Sequence, residues 1–213
     1  MGFNDVGPIK DRESYQRFYD ANSHFSNQNV CKETGRIHWL LPYVTLNMPV
    51  LEVGCQHGGV TQILYALMNG VGDDLTAIDI TDKHVEITQS LFANCTEGHK
   101  PTIFKCYIED FESYTKYWTI VMFEVLEHVL DDKAVLAKCR DLLAYDGNLL
   151  ISVPFENDAP EPDHLRTYTP ESLNSLLHQY FNHVQLAVSY NHWDTVITFG
   201  RRSILVVANN RRK

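Results

Sequence analysis

The sequence predicts an α/β fold in which a mostly parallel β-sheet carries helices on both faces. Two observations support this. Short apolar runs of strand length alternate with helical patterns, the arrangement that joins parallel strands through crossover helices. A small-residue turn, Gly54-Cys55-Gln56-His57-Gly58, leads directly from one such run into a helix. At 213 residues, 44% apolar and 21% charged, the chain matches one domain with its own buried core. We place that core at 46–213, with a helical lid over 1–45.

The elements follow in order. The first 45 or so residues read as two helices, with Tyr15, Phe18 and Tyr19 on one face of the first; they have no place in the sheet and make a lid or an edge. Buried strands are expected at 48–53, 75–79, 102–107, 118–123 and 148–154. Between the first two, Val60, Ile63, Leu64 and Leu67 form one helical stripe that stops at Gly70. Thr81 or Asp82 caps the next helix, which runs to about Ser90. The segment after the fourth strand is helical from Asp131 to Leu143 and ends at an Asp146-Gly147 turn. A loop rich in proline and acid spans Pro154 to Pro162, and Thr169-Pro170-Glu171 then opens a helix with proline in its first turn. Two final strands, near 183–190 and 203–208, are joined by 191–202 as an antiparallel pair.

Composition excludes several classes. The five cysteines (Cys31, Cys55, Cys95, Cys106, Cys139) form no C-x-x-C pair, which argues against structural zinc and a disulfide framework and for reduced thiols. No stretch approaches the roughly 18–20 apolar residues that span a bilayer. The opening residues are too polar for a secretory signal, and Val6 weakens a myristoylation reading. We therefore expect a cytoplasmic chain without membrane contact. A net charge of −9 argues against a nucleic-acid partner held through many phosphates. The basic residues Arg201, Arg202, Arg211, Arg212 and Lys213 read as a solvated end. Nothing in the sequence sets an oligomeric state.

The chemistry concentrates at three places. In VLEVGCQHGGVTQIL (50–64) a buried strand ends in small residues at the start of a helix, so a ligand can approach the backbone and the positive helix end. The glycines lack the G-x-G-x-x-G spacing of dinucleotide enzymes. Asp79 closes the second strand 21 residues beyond Gly58, near the interval of about 20 for an acid that takes two ribose hydroxyls. Glu124, Glu127 and His128 stand at i, i+3 and i+4, and on a helical turn they share a face. Helix capping and solvation is one reading of that trio. Contact with a substrate is another, with His128 as a base whose ordinary pKa suits neutrality. Metal binding completed by His164 is the third. The remaining histidines (His24, His38, His84, His99, His178, His183, His192) show no ligand spacing and read as surface or core residues.

The first motif, with Glu52, Gly54 and Gly58, resembles the glycine-rich motif of class I S-adenosylmethionine-dependent methyltransferases, and Gln56 replaces its middle glycine. MFEVLEHVLDDKAVLAKCRDLLAYDGNLLISVPF (122–155) resembles the same family closely, apart from Trp118 just upstream where Asp is common. HLRTYTPESL carries the likeness to about residue 173. The resemblance implies a Rossmann-like seven-stranded sheet in the order 3-2-1-4-5-7-6, its last strand antiparallel, and S-adenosyl-L-methionine as cofactor with S-adenosyl-L-homocysteine as product. It implies cofactor contacts from Glu52, Gly54, Cys55, Gln56 and Gly58 at the first turn, and from Asp79 and Ile80 at the ribose. Phe123 and Glu124 fall at the methionine end. Tyr107 stands where an acid usually meets the adenine, leaving Glu109 or the backbone near Ile108 for that contact. We expect His128 and His164 to face the acceptor without a metal, and the acceptor to be a small or sugar-like molecule methylated on O or N, because no added domain is present to hold a macromolecule. Two alternatives stay open. The small-RNA 3′-terminal 2′-O-methyltransferases resemble the chain in the same stretches, which would place magnesium on Glu124, Glu127, His128 and His164. A non-catalytic binding module, with Gln56 and Tyr107 marking a lost site, is the other.

Overall fold

The computed structural model describes residues 7–22, 41–70, 72, 74–96, 99–155, 163–190 and 202–210. Strands β1 (Val50–Val53), β2 (Leu75–Asp79), β3 (Thr102–Lys105), β4 (Tyr117–Phe123) and β5 (Leu143–Pro154) run parallel. With β6 (His183–Tyr190) and β7 (Arg202–Asn209) they form one seven-stranded sheet in the order β3-β2-β1-β4-β5-β7-β6. Strand β7 is antiparallel to both of its neighbours. Order and sense are those the resemblance implies.

The central strands are apolar at nearly every position because both faces are covered. Alternate residues serve opposite layers, as the two-residue strand period requires. Leu51, Ile120, Met122, Leu149 and Ile151 belong to the layer packed on α4 (Asp132–Leu142) and α5 (Pro170–Leu177). Their neighbours Val50, Val121, Leu150 and Val207 face α2 (Gly59–Leu67) through Val60, Leu64 and Met68. Ala77 and Ile103 meet Val85 of α3 (Asp82–Leu91) and Phe92 on that same side. Helix α1 (Arg12–Asn22) adds its buried Tyr15 and Phe18 outside the sheet.

The helices begin where the sequence supplies caps. The Thr81 hydroxyl accepts from His84 N at 3.3 Å, and Asp131 accepts from Lys133 N and Ala134 N at 3.0 Å. Thr169 and Ser172 form a reciprocal capping box with Pro170 in the first turn. Beyond α2, Asn69 and Gly70 turn left-handed (φ 56° and 74°), which stops the helix where Gly70 predicts.

Strand β1 begins at Val50 and β3 ends at Lys105, each two residues inside the expected run, and the largest boundary difference is at β5. The Asp146-Gly147 pair is not a free turn after α4; the chain enters β5 at Leu143 and bulges. Tyr117 pairs with Leu143 and Thr119 with Asn148, so five residues of β5 oppose two of β4. A Cβ on Gly147 would lie 2.8 Å from the Tyr117 carbonyl, which is why glycine occupies the point of closest approach.

The second N-terminal helix, residues 191–201, loop residues 156–162, Cys31, His24, His38, His192, Arg211, Arg212 and Lys213 lie outside the described residues. Cys55, Cys95, Cys106 and Cys139 are free thiols. No helix of the described residues is long and apolar enough to cross a membrane.

Gly58 ties the fold to the first turn. It sits at φ 78°, and an added Cβ would meet Leu91 Cδ1 at 2.6 Å and Thr88 Cγ2 at 2.9 Å. Gly58→Ala is expected to cost at least about 1–2 kcal/mol from the left-handed backbone alone, a drop of roughly 2–4 °C per kcal/mol in the thermal midpoint of a domain this size. An unchanged midpoint would show that the turn relaxes freely.

Candidate active site at the carboxyl ends of the strands

A cavity of about 300 Å³ opens at the carboxyl ends of β1, β2, β3 and β4, the place where open α/β sheets bind ligands. Each strand contributes its trailing residues. Gly54 and Gln56 follow β1, Asp79 and Ile80 close β2, and Ile108 and Glu109 follow β3. Glu124, Val125 and His128 come from the segment after β4, and Arg12, Tyr15 and Tyr19 of α1 with Asp163 close the remaining side.

The first turn explains the departure at Gln56. Gly54, Gln56 and Gly58 all adopt positive φ (79°, 44° and 78°), so Gln56 takes a left-handed conformation that a glycine would adopt freely. The left-handed cost to a residue with a side chain, about 1–2 kcal/mol, is offset by two contacts. Gln56 N donates to Asp79 Oδ2 at 2.9 Å, and Thr88 Oγ1 donates to Gln56 O at 2.8 Å. At Gly54 an added Cβ would lie 2.5 Å from Val125 Cγ2, so the β1 turn and the β4 loop interlock.

Asp79 is 5% exposed and heavily hydrogen-bonded. Its Oδ1 accepts from Thr81 N at 3.0 Å and from Thr81 Oγ1 at 3.2 Å, and lies 3.0 Å from His84 Nδ1. Oδ2 accepts from Gln56 N. A carboxylate offers about four acceptor sites, so Oδ2 keeps capacity toward the cavity. His84, read from the sequence as a surface or core residue, is buried against this carboxylate and lines the cavity. Nothing in its sequence spacing marks it, because the contact depends on how α3 leaves β2.

Other expected cofactor residues lie behind the wall. Glu52 is 2% exposed and accepts from Thr61 Oγ1 at 2.6 Å. Cys55 is buried, its thiol pushed up by burial. Neither these two nor Gly58 and Phe123 line the cavity, and Phe123 packs instead against the cluster of Val50, Val121 and Leu150. After β3, Ile108 and Glu109 open a 3₁₀ turn (Ile108–Asp110), and burial raises the Glu109 carboxyl above its ordinary range.

The expected shared face of Glu124, Glu127 and His128 does not form. Residues 125–128 make a single turn closed by His128 N to Val125 O at 3.0 Å. Glu124, at φ 53°, turns to β5, where Ser152 Oγ donates to its Oε1 at 2.8 Å. Glu127, His128 and His164 do gather, with ligand-capable atoms all within 4.8 Å of one another. The His128 ring lies edge-on to His164, with 4.8 Å between centroids.

His128 stands between two carboxylates. Its Nδ1 is 3.2 Å from Asp163 Oδ2 and 3.2 Å from the Asp163 carbonyl, and its Nε2 is 3.7 Å from Glu127 Oε1. Burial alone would lower its pKa, but Glu127 and then Asp163 outweigh burial and push it up to about 9. Asp163 responds in kind: burial raises its carboxyl, but His128 holds it below the ordinary carboxylate range. Its Oδ1 is buried without a hydrogen-bond partner among the described residues, and Tyr19 OH donates to its Oδ2 at 3.3 Å. Asp163 was not singled out in the sequence, although it directly precedes His164.

The DHLRTYT stretch also pins the turn after β4. Leu165 N donates to Glu127 O at 3.0 Å. The Arg166 guanidinium donates to the carbonyls of Leu126, Val129 and Leu130. The stretch after β4 and the HLRTYT stretch, two of the three that carry the resemblance, are thus one physical unit.

Comparison with known proteins agrees with this geometry. Residues 26–203 match the model of a methyltransferase domain family. The chain is 28% identical over 144 residues to the ubiquinone biosynthesis O-methyltransferase of Thiobacillus denitrificans, covering 66% of this chain and 59% of that protein. It is 30% identical over 115 residues to the human mitochondrial ubiquinone biosynthesis O-methyltransferase, covering 50% of this chain and 29% of that one. The chain therefore spans less than two thirds of either relative. Among solved structures, N-methyltransferase NodS from Bradyrhizobium japonicum WM9, in complex with S-adenosyl-L-homocysteine, superposes with a TM-score of 0.72 at 17% identity, covering 94% of this chain and 98% of that one. Magnesium protoporphyrin IX methyltransferase from Synechocystis PCC 6803, with bound S-adenosylmethionine, gives 0.67 at 17%, covering 97% and 100%. At such identity the likeness is one of fold. The chain belongs to this family of methyltransferase domains and has the Rossmann-like fold of the class I S-adenosylmethionine-dependent methyltransferases.

Proposed function

We propose that this S-adenosylmethionine-dependent methyltransferase acts on a small-molecule or sugar-like acceptor, with O-methylation favoured by the names of its relatives. One observation supports the cofactor placement above the rest: the Asp79 carboxylate lines the cavity directly beside the left-handed Gly54–Gly58 turn. In this reading Asp79 takes the ribose hydroxyls, Ile108 and Glu109 meet the adenine, and Gly54, Gln56 and Glu124 border the methionine end. A cytoplasmic site of action belongs to the same proposal, although the human relative is mitochondrial by name.

Bound S-adenosylmethionine supplies a methyl group on a sulfonium, already a good leaving group, so the chain's contribution is alignment and a fitting electrostatic environment. An acceptor hydroxyl that took the methyl group would have to give up its proton, and the chain must supply the base that receives it. His128 is not suited to that role, since its two carboxylates keep it protonated at neutral pH. We assign it to orienting the acceptor; His164, 4.8 Å from it between ring centroids, does not itself line the cavity and is the neighbouring group left to receive the proton. Binding without catalysis is not favoured, because the Gln56 backbone takes the glycine-like conformation and Tyr107 lines the cavity wall.

A second reading has its own support. Glu127, His128 and His164 could share a divalent ion, with Asp163 holding the other nitrogen of His128 as an outer partner. Two imidazoles and one carboxylate suit a zinc-like ion better than magnesium, which prefers oxygen ligands. Glu124, held at Ser152, stands outside this set.

Asp79→Asn leaves one acceptor oxygen for donors that now share two. It is expected to weaken S-adenosylhomocysteine binding about ten- to hundredfold, ~1.4–3 kcal/mol, by isothermal titration; an unchanged constant would move the ribose elsewhere. The two readings of the histidine pair separate by pH and chelation. Because its folded pKa lies above the ordinary 6.5, the stability that His128 contributes is full below about pH 6.5 and lost as pH rises through about 9. In chelator-treated protein its ring resonances should titrate above pH 8, with turnover unaffected by EDTA. A midpoint at or below 6.5 contradicts the ion-pair account, and turnover abolished by EDTA and restored by a divalent ion establishes the metal.

A further inference from the structure

Helix α1 is fastened across the two strand ends that flank the proposed adenosine half of the cofactor. The Gln16 amide bridges them: its Nε2 donates to Ile80 O at 2.8 Å, and its Oε1 accepts from Tyr107 OH at 2.6 Å. Ile80 follows β2 and Tyr107 follows β3. One helical turn away on the same side, the Arg12 guanidinium lies 3.8 Å from the centroid of the Tyr107 ring and pairs with Asp110. Tyr107 occupies the position where the family usually carries an acid, yet its hydroxyl is committed to α1.

We infer that Tyr107, Gln16 and Arg12 are positioning residues for the cofactor. Tyr107 is the post to which α1 is tied, the tie holds the helix over the adenosine half, and S-adenosylhomocysteine leaves when it opens. The inference rests on the proposed cofactor site. Its physical basis is the contrast within α1. Tyr15 and Phe18 seat the helix through buried aromatic surface, whereas the ties to Tyr107 are individually weak. Across to the strand ends Gln16 makes one neutral hydrogen bond with Tyr107 and one with Ile80, and the Arg12–Asp110 pair is about half exposed, at 49% and 56%. A roof built this way opens at its polar edge without unfolding the helix. It also accounts for a tyrosine where an acid is usual, since a carboxylate at 107 could not donate to Gln16 Oε1.

The test is the dissociation rate of S-adenosylhomocysteine, measured by stopped flow on the full chain. Tyr107→Phe keeps the ring under Arg12 and removes only the hydroxyl; Gln16→Ala removes the bridge. Each is expected to speed dissociation about three- to tenfold with little change in association, the usual pattern for weakened closed complexes. Because both remove the same bond to Tyr107, the double variant should be no faster than Gln16→Ala alone, while adding Arg12→Ala should speed it further. Unchanged dissociation in the single variants overturns the inference. So does an additive double variant, which would mean that the Tyr107 hydroxyl meets the adenine directly. Wild-type protein that fails to bind S-adenosylhomocysteine overturns the proposed function itself, and the inference with it.

Discussion

The carboxylate of Asp79 joins the parts of the molecule that must meet at the site. It ends β2, accepts the amide of Gln56 from the turn after β1, and accepts the amide and hydroxyl of Thr81, which caps α3. His84 on the first turn of α3 completes the set at 3.0 Å. Burying a carboxylate is costly unless it is hydrogen-bonded or paired with a charge, and here the donors come from two crossover units at once. The consequence is structural as well as chemical: the left-handed conformation at Gln56 is held by a bond to the residue proposed to hold the ribose. Binding and loop geometry are not separable at this position.

A second constraint works on the opposite side of the cavity. Val125 fills the space over Gly54, and Arg166 with Leu165 ties the 126–130 turn to the segment after β5. Glu127, His128, Asp163 and His164 are thereby concentrated in a small volume, where the His128 ring sits between two carboxylates. The proposed cofactor side and the proposed acceptor side differ in kind. The former is built from backbone shape and one acid, the latter from paired charges that α1 reaches through Tyr19.

Much of this was legible in the sequence because it is local. The alternation of apolar strands with capped helices, the stop at Gly70 and the proline-led start of α5 each depend on a few adjacent residues. The resemblance, on residues 50–64 and 122–155, implied the strand order, which spacing alone does not give. What the sequence did not show depends on nonlocal geometry. Glu124, Glu127 and His128 fit a helical face by spacing, but the chain after β4 makes one turn and sends Glu124 to Ser152. A near-neutral base was read from the ordinary pKa of histidine, whereas Glu127 and Asp163, the latter 35 residues away, raise it. Gln56 departs from the motif by sequence, yet its backbone takes the left-handed conformation that glycine favours.

The central claim is that the cavity at the strand ends, framed by Gln56, Asp79 and Ile108, is the cofactor site. The most direct measurement is a titration of ¹⁵N-labelled protein with S-adenosylhomocysteine, followed amide by amide. The account predicts saturable shifts that are largest at Gln56, Ile80, Ile108 and Glu124, the backbone positions around the cavity. Saturable shifts confined to residues remote from these strand ends, or none at all, would contradict it.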